Sequence, residues 1–247
     1  MQLPRSSRKS AALIVAGLIP VGGLLIGSTA GAGDHLADPA PARVVHAEPA
    51  TAAKPQAPAI PTVTETVRPA AVRLPVSVMS GMVPKINYEA YLSAAETMAK
   101  KQPRCGIDWR LIAGIGRVES HHANSGDADA RGQLRTPIFG PVLDGSLAGN
   151  QVITDTDGGR LDGDAVHDRA VGPMQFLPST WEHYGADADG DGTADPQNIF
   201  DAALTTARYL CDDGMDLRNP NDVTRAVLRY NNSMTYVDDV VGYARSY

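Results

Sequence analysis

Residues 33–84 constrain most strongly what this 247-residue chain can build. Proline and alanine recur there (ADPAPARVV, EPATAAKPQAPAIPTV) with no sustained apolar period. Such a segment buries too little apolar surface to offset the entropy of ordering, and repeated proline favours an extended spacer. The expectation is a disordered Pro/Ala-rich linker that tethers the C-terminal part of the chain; an unselected linker with no tethering role reads the same in sequence. A core must therefore come from residues 85–247. Those roughly 160 residues suffice for one compact domain.

Arg5, Arg8 and Lys9 precede an uncharged, mostly apolar run at residues 11–27 (AALIVAGLIPVGGLLIG). Residues 1–32 therefore read as an export signal or a membrane anchor. The run is short for a relaxed membrane span and contains Pro20, while Ser28-Thr29-Ala30-Gly31-Ala32 supplies small residues for cleavage. A cleaved signal is favoured, with membrane anchoring through residues 11–27 as the rival. Either way the remainder is expected outside the cytoplasm, at the cell wall or secreted.

Within the domain, apolar residues at helical spacing predict helices near 88–101, 108–120, 178–184, 198–212, 222–230 and 236–247. Pro178 and Asn221-Asp222 mark two helix starts. Only 138–153 offers room for a short hairpin. The expected fold class is mainly α. Its two cysteines, Cys105 and Cys211, pair without remainder in an exported protein, so one disulfide is expected, against the alternative of two buried free thiols.

Glu119 lies at the end of the helix that Trp109, Leu111, Ile112, Ala113, Ile115 and Val118 stripe with apolar side chains, before the polar run from Ser120 to Asp129. A carboxyl group at a core margin is partly desolvated, which raises its pKa and keeps it protonated for use as a general acid. Glu119-Ser120, then Gly172-Pro173-Met174-Gln175-Phe176-Leu177-Pro178-Ser179, then Tyr230-Asn231 occur in that order. This succession resembles the lytic murein transglycosylases, specifically the membrane-bound lytic transglycosylase B branch, over about residues 85–247.

The resemblance implies a lysozyme-like domain acting on peptidoglycan glycan strands as a monomer, with no cofactor needed for catalysis. It also implies that Glu119 protonates the leaving oxygen and then, as carboxylate, takes the proton of the muramic acid C6 hydroxyl, closing a 1,6-anhydro ring. One group can serve both steps if its pKa lies between the two demands. By the same carry-over Gln175, Tyr230 and Asn231 line the glycan cleft and Ser120 supports it. A lysozyme-type muramidase would need a second carboxylate such as Asp164 or Asp168. A calcium-stabilised wall-binding protein without turnover is the rival from another class.

Net charge is −6, but residues 155–201 hold eleven acidic residues against Arg160 and Arg169. There Asp187, Asp189, Asp191, Gly192, Thr193 and Asp195 fit an EF-hand calcium loop. Asn198 stands where a bidentate Glu belongs, and Asp201, one turn later, is the substitute. A structural Ca²⁺ is expected, the alternative being a solvated Asp-Gly turn. Residues 155–164 resemble such a loop less well and read better as glycan-lining. His121 and His122 are adjacent and lack a zinc spacing, and the acidic balance argues against nucleic acid.

Overall fold

Two glycines set the centre of the fold. In α3 (Trp109–Gly126) a Cβ on Gly114 would lie 2.4 Å from the Val240 carbonyl oxygen of α7 (Met234–Ser246). One on Gly116 would lie 2.3 Å from the Tyr91 hydroxyl of α2 (Lys85–Lys101). No side chain fits either gap, so α3 runs clamped between α2 and α7, with Ile112 and Ile115 fully buried. Asp108 starts α3 by accepting the Arg110 N–H at 2.8 Å, and Lys100 and Lys101 oppose the negative end of the α2 dipole.

The computed structural model describes residues 73–147 and 151–247. The signal or anchor expected at 1–32, and the linker as far as residue 72, lie outside the described residues. The domain itself begins earlier than residue 85. Helix α1 (Val76–Met79) is formed, and Val78 and Val83 join the core. Two isolated valines flanked by prolines gave no periodic signal.

Mainly α is correct: seven α-helices and one strand pair are present among the described residues. Helix α5 (Ile199–Leu210) packs on α2, and α4 (Pro178–Tyr184) and α6 (Pro220–Tyr230) flank it. The Asn219 side chain, not Asn221-Asp222, caps α6, because Pro220 occupies the first helical position, where no N–H is needed. Cys105 and Cys211 form the expected disulfide, with Cα atoms 5.4 Å apart.

The segment 138–153 does fold back on itself, in a single antiparallel bridge between Asp144 and Val152 with the Ile153 N–H donating to the Leu143 carbonyl at 2.9 Å. Strand β1 (Phe139–Val142), also within that segment, pairs instead with β2 (Arg169–Val171), antiparallel, with Phe139 opposite Val171. The acidic segment between them is braced by its own main chain. Asp155 accepts the N–H groups of Asp157, Gly158 and Gly159; Asp157 those of Arg160 and Leu161; Asp164 those of Val166 and His167. Backbone amides thus satisfy much of the clustered negative charge.

Candidate active site

Helix α3 changes hand immediately after Glu119-Ser120. His121, His122, Ala123, Asn124 and Ser125 all have φ between 51° and 66°. Left-handed backbone costs non-glycine residues about 1–2 kcal/mol each, so surrounding contacts must hold the run. Ser120 Oγ accepts the Ala123 N–H at 2.9 Å and donates to the Pro173 carbonyl at 2.7 Å. Ser120 is buried and committed to backbone groups at both bonds. It therefore braces the end of the right-handed part of α3 against the 172–175 turn.

Glu119 keeps a solvent-facing edge, yet protein surrounds most of its carboxyl group. Desolvation pushes its pKa up to about 7, partly opposed by the Tyr236 hydroxyl, which donates to Oε1 at 2.5 Å. Tyr236 lies one turn into α7, behind the Ser233 cap, and sequence reading missed it. Its ring stacks on Tyr230, centroids 6.4 Å apart and planes 9° apart. The signal available was its position three residues after a capping serine, which is common to many helix starts.

The turn at 172–175 is tied to the end of α3 through Ser120. Val171 and Phe176 exchange both backbone hydrogen bonds across it, and Gly172 and Gln175 adopt positive φ. Gly172 is obligatory, because a Cβ there would sit 1.8 Å from the Pro196 carbonyl oxygen. Gln175 Nε2 donates to the Gly172 carbonyl at 2.8 Å, which fixes the side chain and leaves its oxygen beside Gly140. Tyr230 donates to the Met174 carbonyl at 2.7 Å. Burial raises its pKa well above the usual tyrosine value, with Glu119 adding to the shift, so it remains a neutral donor.

Asn231 ends α6 and is buried, and its Oδ1 has no hydrogen-bond partner among the described residues. Such an orphan acceptor is uncommon. Ser120, Pro173, Met174 and Tyr230 thus tie the Glu119 and Gln175 segments into one unit, and Asn231 adjoins it in sequence.

The two candidate second carboxylates do other work. Asp168 is fully buried and accepts both the N–H and the hydroxyl of Thr156; burial raises its pKa. Asp164 is held as a turn brace. Asp155, Asp157 and Asp168 each place an oxygen within 4.8 Å of the others.

In the EF-hand-like segment, Asp187, Asp189 and Asp201 place carboxylate oxygens within 4.8 Å of one another. Asp191 accepts the Thr193 N–H, and Asp195 accepts from Gln197 N and Gln133 Nε2. Three of the five expected carboxylates therefore converge, while Asp191 and Asp195 lie outside that group; the sixth expected ligand, Thr193, would offer its backbone carbonyl. Asn198 caps α5 through Oδ1 and donates through Nδ2 to Asp189 at 2.8 Å. Asp201 is buried, and burial raises its pKa although the Asp195 and Ala188 N–H groups offset part of the shift. A hard, all-oxygen set with one buried carboxylate fits Ca²⁺ chemistry.

A helical domain holding one half-neutral carboxyl group beside a glutamine turn is equipped for acid-base chemistry on a polar substrate. Residues 168–224 match the family model described as the transglycosylase SLT domain. That segment runs from Asp168 through the Gln175 turn into α6. Among solved structures, SltB3 from Pseudomonas aeruginosa in complex with NAG-anhNAM-pentapeptide is similar at 17% identity, over 70% of this chain and 67% of that one, with a TM-score of 0.41. The Escherichia coli lytic transglycosylase Slt35 in complex with bulgecin A is 14% identical over 68% of this chain and 75% of that one, with a TM-score of 0.38. No curated protein matches the chain significantly.

Tyr236 gives a test of the site's electrostatics. Its hydrogen bond favours the charged form of Glu119, so Tyr236→Phe is expected to raise the Glu119 pKa above about 7. The alkaline limb of the pH–rate profile should move upward. An unchanged limb with normal folding would show that this bond does not tune the acid.

Proposed function

We propose that this protein is an exported peptidoglycan lytic transglycosylase that cleaves the MurNAc-β-1,4-GlcNAc bond using Glu119 alone. The observation that carries the reading is a carboxyl group with a pKa of about 7, placed against the Gln175 turn of a transglycosylase SLT segment. At that pKa both the acid and its conjugate base are populated near neutrality, as two sequential proton transfers require. Glu119 gives its proton to the departing O4. The C6 hydroxyl then bonds to the anomeric carbon and returns its proton to Glu119, so no water is consumed. Gln175 and Asn231 offer hydrogen-bonding groups for the sugar or its N-acetyl group, and Tyr230 holds the turn. Ligands of the kind named with the P. aeruginosa protein, peptide-bearing disaccharides, would be the substrate class.

Location at the wall follows from that substrate. Among the described residues no helix is long and apolar enough to cross a membrane. The test is direct: the purified full chain should release soluble muropeptides from sacculi. Binding to sacculi without release would favour the wall-binding alternative.

Calcium at Asp187, Asp189 and Asp201 is proposed as a clamp on the loop before α5, with no part in proton transfer. A ligand bound only to the folded state stabilises it by mass action. Calcium should raise the melting temperature, and Asp187→Ala with Asp189→Ala should abolish the response. Identical melting curves in calcium and in chelator would make the loop an ordinary Asp-Gly turn.

A further inference from the structure

We infer that a second binding site, for the carboxylate end of a short peptide with a small apolar side chain, lies on the side of α3 turned away from Glu119. Arg117 and Glu119 are two positions apart, which places them about 200° apart around a helix. Arg117 lines a cavity of about 340 Å³ together with Met82, His121, Ser125, Tyr243 and Tyr247. That volume is at the lower end of small-molecule sites, about 300–1,000 Å³.

No Asp or Glu lines this cavity, and Arg117 forms no ion pair among the described residues, although the chain carries a net charge of −6. Its guanidinium lies over the Tyr243 ring, 5.4 Å from the centroid. A guanidinium carries paired N–H donors that can grip a carboxylate through two parallel bonds.

A second polar group emerges from the hydrogen bonds behind the cavity. Asn87 Nδ2 donates to the Tyr91 oxygen at 3.3 Å, and the Tyr91 hydroxyl shares a hydrogen bond with His122 Nδ1 at 3.1 Å. Burial, with Arg117 and His121 adding to it, lowers the His122 pKa to about 4, so the ring adds no positive charge of its own. His122 Nε2 shares a further hydrogen bond with the Tyr247 hydroxyl at 3.0 Å, so the ring bridges the two tyrosines and positions Tyr247, which lines the cavity. Arg117 supplies charged donors and Tyr247 a positioned hydroxyl, while Met82, Pro84 and the Tyr243 ring supply an apolar wall. The left-handed run 121–125 forms another side, and such runs concentrate at ligand clamps.

The peptide carboxylate could come from free peptide or from peptide on glycan, and three measurements separate the cases. The full chain is titrated calorimetrically with N-acetyl-alanyl-alanine, with its C-terminal amide, and with inorganic phosphate. The acid should bind, and the amide should bind about tenfold or more weakly, since it loses the charge-assisted bonds. Peptide-bearing glycan strands should compete with the acid if the source is the strand, and fail to compete if it is free peptide.

Arg117→Gln should lose the affinity tenfold or more with an unchanged melting temperature, and Tyr247→Phe should weaken it. Glu119→Gln should bind the acid normally, which separates this site from the proposed chemistry. Hydrogen exchange at 121–126 should slow when the acid is added. Equal binding of acid and amide, binding of phosphate but not the acid, undiminished affinity in Arg117→Gln, or no binding at millimolar acid would each overturn the inference.

Discussion

Glu119→Gln is expected to fold normally and to lose at least about 10²- to 10⁴-fold in turnover of peptidoglycan, the range attributed to general acid-base catalysis. Gln keeps the shape and can still accept the Tyr236 hydrogen bond, but it can neither give nor take the proton. Folding should not suffer, for a reason that carries a sign. Burial raises the Glu119 pKa to about 7, so above that pH the folded state confines a charge that unfolding would release to water. Wild-type stability should therefore decline relative to the Gln variant as pH rises through about 7. Near-normal turnover in the variant would remove Glu119 from the chemistry. A lower melting temperature than wild type at pH 8 would contradict the electrostatic account.

The next largest effect is expected from Cys105→Ser combined with Cys211→Ser. The bond closes 106 residues, an interval containing α3, the 172–175 turn and both acidic segments. In the chain-entropy model such a loop stabilises the folded state by about 4–5 kcal/mol. For a domain of this size that converts to a melting temperature lower by roughly 10–20 °C. Both cysteines are buried, so the paired serines also place hydroxyls in the core. Scanning calorimetry of the double variant measures this, and a change under about 2 °C would show that the native contacts alone hold the interval.

Much of this architecture was legible because it depends on local rules. The apolar stripe from Trp109 to Val118 predicted α3, and Glu119 stood where the stripe stops. Pro178 announced α4, and two cysteines in a chain read as exported announced a bond. What escaped notice depends on tertiary placement. Nothing in the residue types of His121, His122, Ala123 or Ser125 signals a left-handed run, since only glycine and, less often, asparagine favour it. Ser120 reads as a support by adjacency to Glu119, but the means, its hydroxyl bond to the Pro173 carbonyl across 53 residues, is not visible in sequence. Tyr236 belongs to a helix whose start resembles any other.

The acidic segment shows the same division. Charge spacing located the loop at 187–195 and named Asp201 as the substitute ligand, and the structure brings Asp201 to Asp187 and Asp189. Spacing could not show that Asp191 and Asp195 fall outside that trio, or that Asn198 serves as the cap of α5. It also could not show that Asp168 is sealed in the interior with Thr156. That last placement bears on mechanism, because a buried, doubly bonded carboxylate is badly placed to activate water.

The central claim is that one carboxyl group and the substrate's own hydroxyl suffice. Digestion of peptidoglycan in ¹⁸O water with the full chain, followed by mass spectrometry of the primary products, tests it most directly. The account predicts 1,6-anhydro-muramic ends, one water lighter than reducing ends and without label at the anomeric carbon. Labelled reducing ends as the main primary product, with Asp164→Asn or Asp168→Asn as damaging as Glu119→Gln, would contradict it and identify a muramidase that works through a second carboxylate.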